Sequence, residues 1–197
     1  MTRAAAIQRP GWPPLSARTT ISGLRALDSP AGHSHVISLI DPAWPMDAAP
    51  FEAWRPDRWL LLRFHDEVEP QPERRLPSYD DVAAILDFAR SAEETTASPS
   101  RLFIHCLSGV SRSTAAALMI WAQAAPDRTE AQLVADLSCL RPGCWPNSLM
   151  VAMADEHLGR NGRLIDALRG YFRERVAADP LVEGRMRKLR RDADFRL

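Results

Sequence analysis

Residues 102–114 read Leu-Phe-Ile-His-Cys-Leu-Ser-Gly-Val-Ser-Arg-Ser-Thr, and few backbone arrangements accommodate that order. Leu102 to His105 is a short apolar run suited to a buried strand. From Arg112 to Ala124 the chain is built largely of helix formers, with apolar residues all round. The short segment between them contains Gly109, which a tight turn can use. A buried strand passing straight into a helix through so short a loop belongs to an α/β architecture, in which parallel strands are joined by helical crossovers.

The rest of the chain fits that frame. His35 to Ile40 (HVISLI) and Trp59 to Phe64 (WLLLRF) are two further strands, and Thr19 to Leu24 reads as an edge strand. Asp41 to Pro56 and Asp66 to Pro77 are proline-rich loops. Ser78 caps a helix that runs to Glu93, with Val82, Ile85, Leu86 and Ala89 at helical spacing. Thr129 caps another, with Leu133, Leu137 and Leu140 on one face, ended by Pro142–Gly143. Asn147 or Ser148 starts a third that reaches Leu158, and Arg163 to Ala178 is the last. The expected fold is α/β, with a small, mostly parallel central sheet of four to five strands, flanking helices and a helical C-terminal half. Residues 1–18 read as a loose arm, 19–180 as a single domain, and 181–197 as a basic, exposed tail.

Composition narrows the function classes. The chain is 197 residues long, 46% apolar and 25% charged, which suits one globular domain with a substantial core. Its formal net charge is zero, so no global field draws it to nucleic acid or to an anionic membrane. The stretch from Thr114 to Ala125 is too short to span a bilayer. The first residues lack the apolar segment of a secretory leader. Three cysteines, Cys106, Cys139 and Cys144, are too few and odd in number for a disulfide framework, which points to a reducing, cytoplasmic setting. Cys139 and Cys144 read as small buried residues. A protective disulfide from either to Cys106 is a minor alternative.

The loop after the third apolar strand carries the chemistry. Successive backbone N–H groups at a helix N-terminus form a nest for an anion, and the helix dipole adds to it. Cys106 lies at the floor of such a nest and Arg112 at its rim, where a planar guanidinium can hold two phosphate oxygens. A thiol beside cationic groups at a helix start is favoured as the nucleophilic thiolate. Ser113 can donate its hydroxyl to that sulfur, while His105 is expected to hold the loop in shape. Leu107, Ser108, Gly109, Val110 and Ser111 would wrap the phosphate with their backbone.

The segment HCLSGVSRS resembles the signature of the protein tyrosine phosphatase superfamily: His-Cys, five residues, then Arg-Ser or Arg-Thr. The likeness covers residues 19–160 and is nearest to the dual-specificity-like, bacterial-type branch. It implies a cysteinyl-phosphate intermediate, no cofactor, no metal and a phosphorylated protein or peptide as substrate. Phosphotyrosine is the leading candidate, with phosphoserine and phosphothreonine beside it. It also implies an aspartate acid on a loop after an earlier strand, a position that Asp66 fills. Glu67, Glu69 and Asp41 are competitors for that role. His65 either orients this loop or is a half-buried strand-end residue. The segment Arg141-Pro-Gly-Cys-Trp-Pro-Asn147 resembles the family's later Arg-Pro…Pro-Asn stretch. Asn147 is therefore carried over as a supporting residue, with a plain helix cap as the other reading, and Arg141 as structural.

The five variable loop residues carry no charge, which disfavours a polyphosphorylated substrate. Trp44, Phe51, Trp54 and Tyr79 are candidates for a pocket-deepening aromatic. Other readings are an enzyme acting on an RNA 5′-triphosphate or a small metabolite, and a non-catalytic phosphate-recognition module. A sulfurtransferase is disfavoured by the Arg-Ser pair. The pairs Asp155/His157 and His33/His35 supply too few ligands at too poor a spacing for a metal site.

Overall fold

The computed structural model describes residues 11–24, 32–45 and 58–195. The expectations for residues 1–10, for most of the Asp41–Pro56 loop and for Phe51 and Trp54 lie outside the described residues.

Four strands form one sheet among the described residues: β1 (Thr19–Gly23), β2 (His35–Ile40), β3 (Trp59–Arg63) and β4 (Leu102–Cys106). All pairings are parallel and the spatial order is β1-β4-β2-β3. The last strand in the chain is therefore inserted between the first two. Every residue of β2 and β4 is buried, as their unbroken apolar runs require of central parallel strands. Ile37 and Leu39 of β2, with Leu102, Ile104 and Cys106 of β4, alternate onto one face and join the main core.

Six α-helices occur among the described residues: α1 (Tyr79–Thr95), α2 (Arg112–Ala124), α3 (Glu130–Leu140), α4 (Ser148–His157), α5 (Arg163–Ala178) and α6 (Leu181–Lys188). Ser78 and Asp81 close a capping box on α1, and Thr129 and Gln132 do so on α3. Asn147 caps α4. Helix α2 is buried along its whole length and forms the centre of the core, against β1, β4, α1, α3 and α4. No helix among the described residues is long and apolar enough to cross a membrane.

Three details differ from the sequence reading. Leu15–Arg18 is a 3-10 turn packed into the fold, not the end of a loose arm. Residues 181–195 fold back as α6 and a further 3-10 turn (Asp192–Phe195) instead of extending as an exposed tail. Cys139 is exposed while Cys144 is buried, and all three thiols are free. Cys139 falls on the outer side of α3, whose inner face is set by Leu133, Val134 and Leu137.

The N-terminal turn is held by a buried ion pair. Arg18 reaches Glu93 of α1 through two parallel bonds of 2.8 and 2.9 Å and also donates to the Ser100 carbonyl. The Ser100 hydroxyl donates to the same carboxylate. Both charges are nearly inaccessible, at 6% and 1% exposure, so each depends on the other for solvation. Glu93→Ala strands the Arg18 guanidinium and is expected to cost about 3 kcal/mol or more in urea unfolding. The double variant Arg18→Met/Glu93→Leu should recover most of that loss.

Candidate active site

Because all four strands are parallel, their C-terminal ends lie along one edge of the sheet. Gly23, Asp41, the Phe64–Asp66 segment and Cys106 are thereby brought together from four separate parts of the chain. Loops at this edge, where the strand order doubles back, are where open α/β sheets bind ligands.

The loop from Cys106 to Arg112 is shaped by what its carbonyls bond to. The Leu107 carbonyl accepts from the Leu24 amide at 3.1 Å, and that of Gly109 from Arg141 Nε at 2.9 Å. Arg141 Nη2 lies 3.4 Å from the Ser108 carbonyl. The Val110 carbonyl accepts from the Trp145 amide at 2.9 Å, and that of Ser111 from the Ala115 amide at 2.9 Å. With five successive carbonyls tied outside the loop, the trans peptides turn the following N–H groups toward its inside. Gly109 makes the turn possible. Its φ is +70°, and a Cβ there would stand 2.6 Å from the Ser22 carbonyl carbon. Gly23 faces it from β1, where a Cβ would stand 2.7 Å from the Ser108 carbonyl carbon. Loop and strand thus touch backbone to backbone, and neither position has room for a side chain.

At the floor of the loop, Cys106 Sγ accepts from the Gly109 amide at 3.2 Å and lies 3.3 Å from Ser113 Oγ. Arg112 is buried at the start of α2. Its Nη1 donates to the Phe64 carbonyl at 2.6 Å and lies 2.7 Å from Asp41 Oδ1, an ion pair whose angle falls outside hydrogen-bond geometry. The buried Arg112 Nε–H has no partner among the described residues. With Nη1 anchored, this donor is left for an oxyanion. Asp41 thus lies beside the guanidinium.

His105 sits beneath the loop. Its Nε2 is 2.6 Å from Ser38 Oγ, which accepts from Trp59 Nε1 at 2.9 Å. Burial pushes the imidazole down to about 4, against a smaller opposing hydrogen bond with the Cys106 backbone, so the ring is neutral.

Asp66 follows β3 and faces the loop. Its Oδ1 accepts from Ser111 Oγ at 2.7 Å, Asn147 Nδ2 at 2.9 Å and Arg191 Nη1 at 3.0 Å. Burial works to raise its pKa, but the Arg191 and Arg112 charges and the bonds from Ser111 and Asn147 outweigh it, leaving the carboxyl below the usual range. Asn147 serves in both of its expected roles: its Oδ1 caps α4 through the Met150 amide, while its Nδ2 holds Asp66. His65 is half-buried and its Nδ1 accepts from the Arg75 amide at 2.9 Å. Glu67 also borders the site, while Tyr79 is remote, bonded to Glu156.

Asp41, His65, Asp66, Glu67, Ser111 and Arg112 line a cavity of about 450 Å³. Leu107, Val110 and Trp145 form part of its wall, and Met186, Leu189 and Arg191 close it from the C-terminal segment. That contribution was invisible as a site in the sequence. The one available signal was Val182, Met186 and Leu189 at helical spacing within a charged stretch. Gly23 gave no signal at all. Among the described residues no cluster of three or more His, Cys, Asp or Glu could hold a metal ion. Asp155 is engaged instead at the start of α5, accepting from the Gly162 and Leu164 amides at 2.6 Å each.

No family model and no curated protein matches the chain. Solved structures do. Human DUSP28 superposes with a TM-score of 0.53 at 13% identity, over 75% of this chain and 95% of that one. Cydia pomonella PTP-2 phosphatase gives 0.52 at 18% identity, over 72% and 86%. The Yvh1 phosphatase domain from Chaetomium thermophilum gives 0.51 at 17%, over 75% and 94%. The chain has the fold of the dual-specificity and tyrosine-phosphatase-like proteins.

The state of His105 has a consequence for stability. The unfolded imidazole takes a proton near pH 6.5 and the folded one only near 4. Between those values the unfolded chain binds more protons, so stability falls as the pH drops through that window. The contribution amounts to about 3 kcal/mol. Urea unfolding at a series of pH values should show this slope, and His105→Gln should lack that part of it.

Proposed function

We propose that this chain is a phosphatase of the tyrosine-phosphatase type, which hydrolyses phosphate monoesters through a phosphorylated Cys106. The observations that support this reading are the Gly109 N–H donated to the Cys106 sulfur within the loop and the buried Arg112 Nε–H at the start of α2, which has no partner among the described residues. A tetrahedral dianion is the ligand that such a set of donors suits. A nucleophile at its centre converts binding into transfer.

In the first step the Cys106 thiolate attacks phosphorus in line with the ester oxygen. The S–P bond forms, the P–O bond breaks, and Asp66, protonated once the bound phosphate dianion offsets the cations that lower its pKa, gives its proton to the departing oxygen. Arg112 and the loop amides hold the equatorial oxygens, where charge is spread in the transition state. In the second step water attacks phosphorus and gives its proton to the Asp66 carboxylate. The S–P bond breaks, and the Ser113 hydroxyl donates to the leaving sulfur. Inorganic phosphate departs and both groups regain their starting states. Asp41, beside Arg112, orients the guanidinium in this scheme.

Phosphotyrosine in a protein or peptide is the substrate class we favour, in a cytoplasmic protein of the bacterial-type branch. The uncharged loop side chains and the apolar wall of Val110, Trp145, Met186 and Leu189 suit an aryl group carrying a single phosphate.

Hydrolysis of p-nitrophenyl phosphate in EDTA tests the reading. Vanadate-sensitive turnover is expected, and Cys106→Ser should lower it by roughly 10⁴-fold or more. A folded wild-type protein without turnover would argue for a phosphate-recognition module. The role of Asp66 is read from leaving-group dependence. Asp66→Asn should slow phenyl phosphate by about 10²-fold or more and p-nitrophenyl phosphate much less, because nitrophenolate needs little protonation. Equal losses on both esters would remove Asp66 from the role of acid.

A further inference from the structure

We propose that Arg191, delivered by the C-terminal segment, is a positioning residue for Asp66: with Ser111 and Asn147 it occupies one carboxyl oxygen, so that the transferable proton is carried on the other. The inference rests on Asp66 being the acid of the proposed phosphatase.

The segment is built into the site. Arg191 is 4% exposed. Its Nε donates to Asp194 Oδ2 at 2.9 Å, its Nη2 to the Pro146 carbonyl at 3.2 Å and its Nη1 to Asp66 Oδ1 at 3.0 Å. Asp194 is fixed in turn by Trp145 Nε1 at 2.7 Å and by the Ser148 hydroxyl. Trp145 stacks on Phe172 of α5, with centroids 4.1 Å apart. The guanidinium is therefore held from two sides by buried structure, at Asp194 and at the Pro146 carbonyl, and its rotamer is set before it meets Asp66.

Three donors on one oxygen decide where a proton can go. A carboxyl oxygen has two lone-pair directions, so an Oδ1 that already accepts from Ser111, Asn147 and Arg191 has none left for an O–H. Protonation then falls on Oδ2, and rotation of the carboxyl is blocked. The carboxyl presents the same oxygen in both chemical steps, as donor in the first and acceptor in the second.

The charges around Asp66 are few. Arg112 from α2 and Arg191 from the C-terminal segment are the cations that lower its pKa. His65 and Glu67 adjoin it on its own loop, and Glu67 is 3.9 Å from Arg74. Asp41, after β2, is paired with Arg112, and Asp194 with Arg191. Removing Arg191 therefore deletes one of two cations and one of three donors. The acid form of Asp66 then persists to higher pH, and the basic limb of the kcat/KM profile moves with it.

The test is kcat/KM for phenyl phosphate against pH, in wild type, Arg191→Lys, Arg191→Met and Asp66→Asn, each checked for folding by its thermal melt. In Arg191→Met the basic limb should move up by about one pH unit. Arg191→Lys, which keeps the charge and can fold where the apolar variant does not, should move it less. In the Asp66→Asn background, Arg191→Met should leave the profile where it was. An unmoved basic limb in an active Arg191→Met would overturn the proposal, whatever happened to kcat, because loss of packing alone does not shift a titration. If wild type shows no turnover, the phosphatase reading itself fails. The carbon-13 titration of the Asp66 carboxyl in wild type and variant then still decides the coupling: a raised midpoint without Arg191 supports it, and an unchanged one overturns it.

Discussion

The loop between β4 and α2 can turn its N–H groups inward only because its carbonyls have donors elsewhere. Leu24, Arg141, Trp145 and the first turn of α2 provide them, from regions far apart in the chain. A buried carbonyl without a donor costs free energy comparable to a lost hydrogen bond, so the loop would otherwise relax toward satisfying itself. Much of the rest serves this requirement. The segment after α3 carries both Arg141 and Trp145 to the loop's outer side. The end of β1 lies against it at Gly23, where the absence of a Cβ permits backbone contact. The loop's shape is thus a property of the whole domain, although its residues are contiguous.

A second constraint is the management of buried charge. Arg112 and Arg191 are both almost fully buried, and each is matched with a carboxylate. Buried guanidinium groups are tolerated when their donors are occupied and their charge is balanced. Here Asp41 and Asp66 perform that balance while facing the cavity. The Nε of Arg112, which has no partner among the described residues, is the exception. Beneath the loop, His105 is kept neutral by burial and contributes geometry without charge.

Much of the architecture was legible along the chain. The apolar runs at His35, Trp59 and Leu102 are strands because six or fewer branched or aromatic residues between turn formers can be buried in a sheet but cannot make a helix of useful length. Ser78, Thr129 and Asn147 mark helix starts because their side chains satisfy amides that the first turn leaves unpaired. Other features escaped this kind of reading. Helix α6 has a glycine at its middle and three basic residues in its last turn, so its local signal is polar, and its packing through Val182 on the core and Met186 on the cavity wall explains it. Cys139 was expected inside because the residue type favours burial, yet helix phase placed it outside. Leu15 and Arg18 lie in a proline-rich stretch, and what orders them is distant in the chain: the core that buries Leu15, and Glu93, which is 75 residues from Arg18.

The sequence by itself determined that Cys106, the short loop and Arg112 occur in that order between a buried strand and a helix. Those are local facts, set by residue spacing and by the φ that glycine allows. The resemblance of its motifs to the phosphatase signature also marked Asp66, after a strand, and Asn147, before a helix. Only the tertiary structure decided that Asp66, Asn147, Ser111 and Arg191 meet at one oxygen atom. That meeting depends on the insertion of β4 between β1 and β2 and on the return of the C-terminal segment across Trp145. Neither leaves a periodic or local trace, because a contact between distant residues is fixed by packing and not by the propensity of either one.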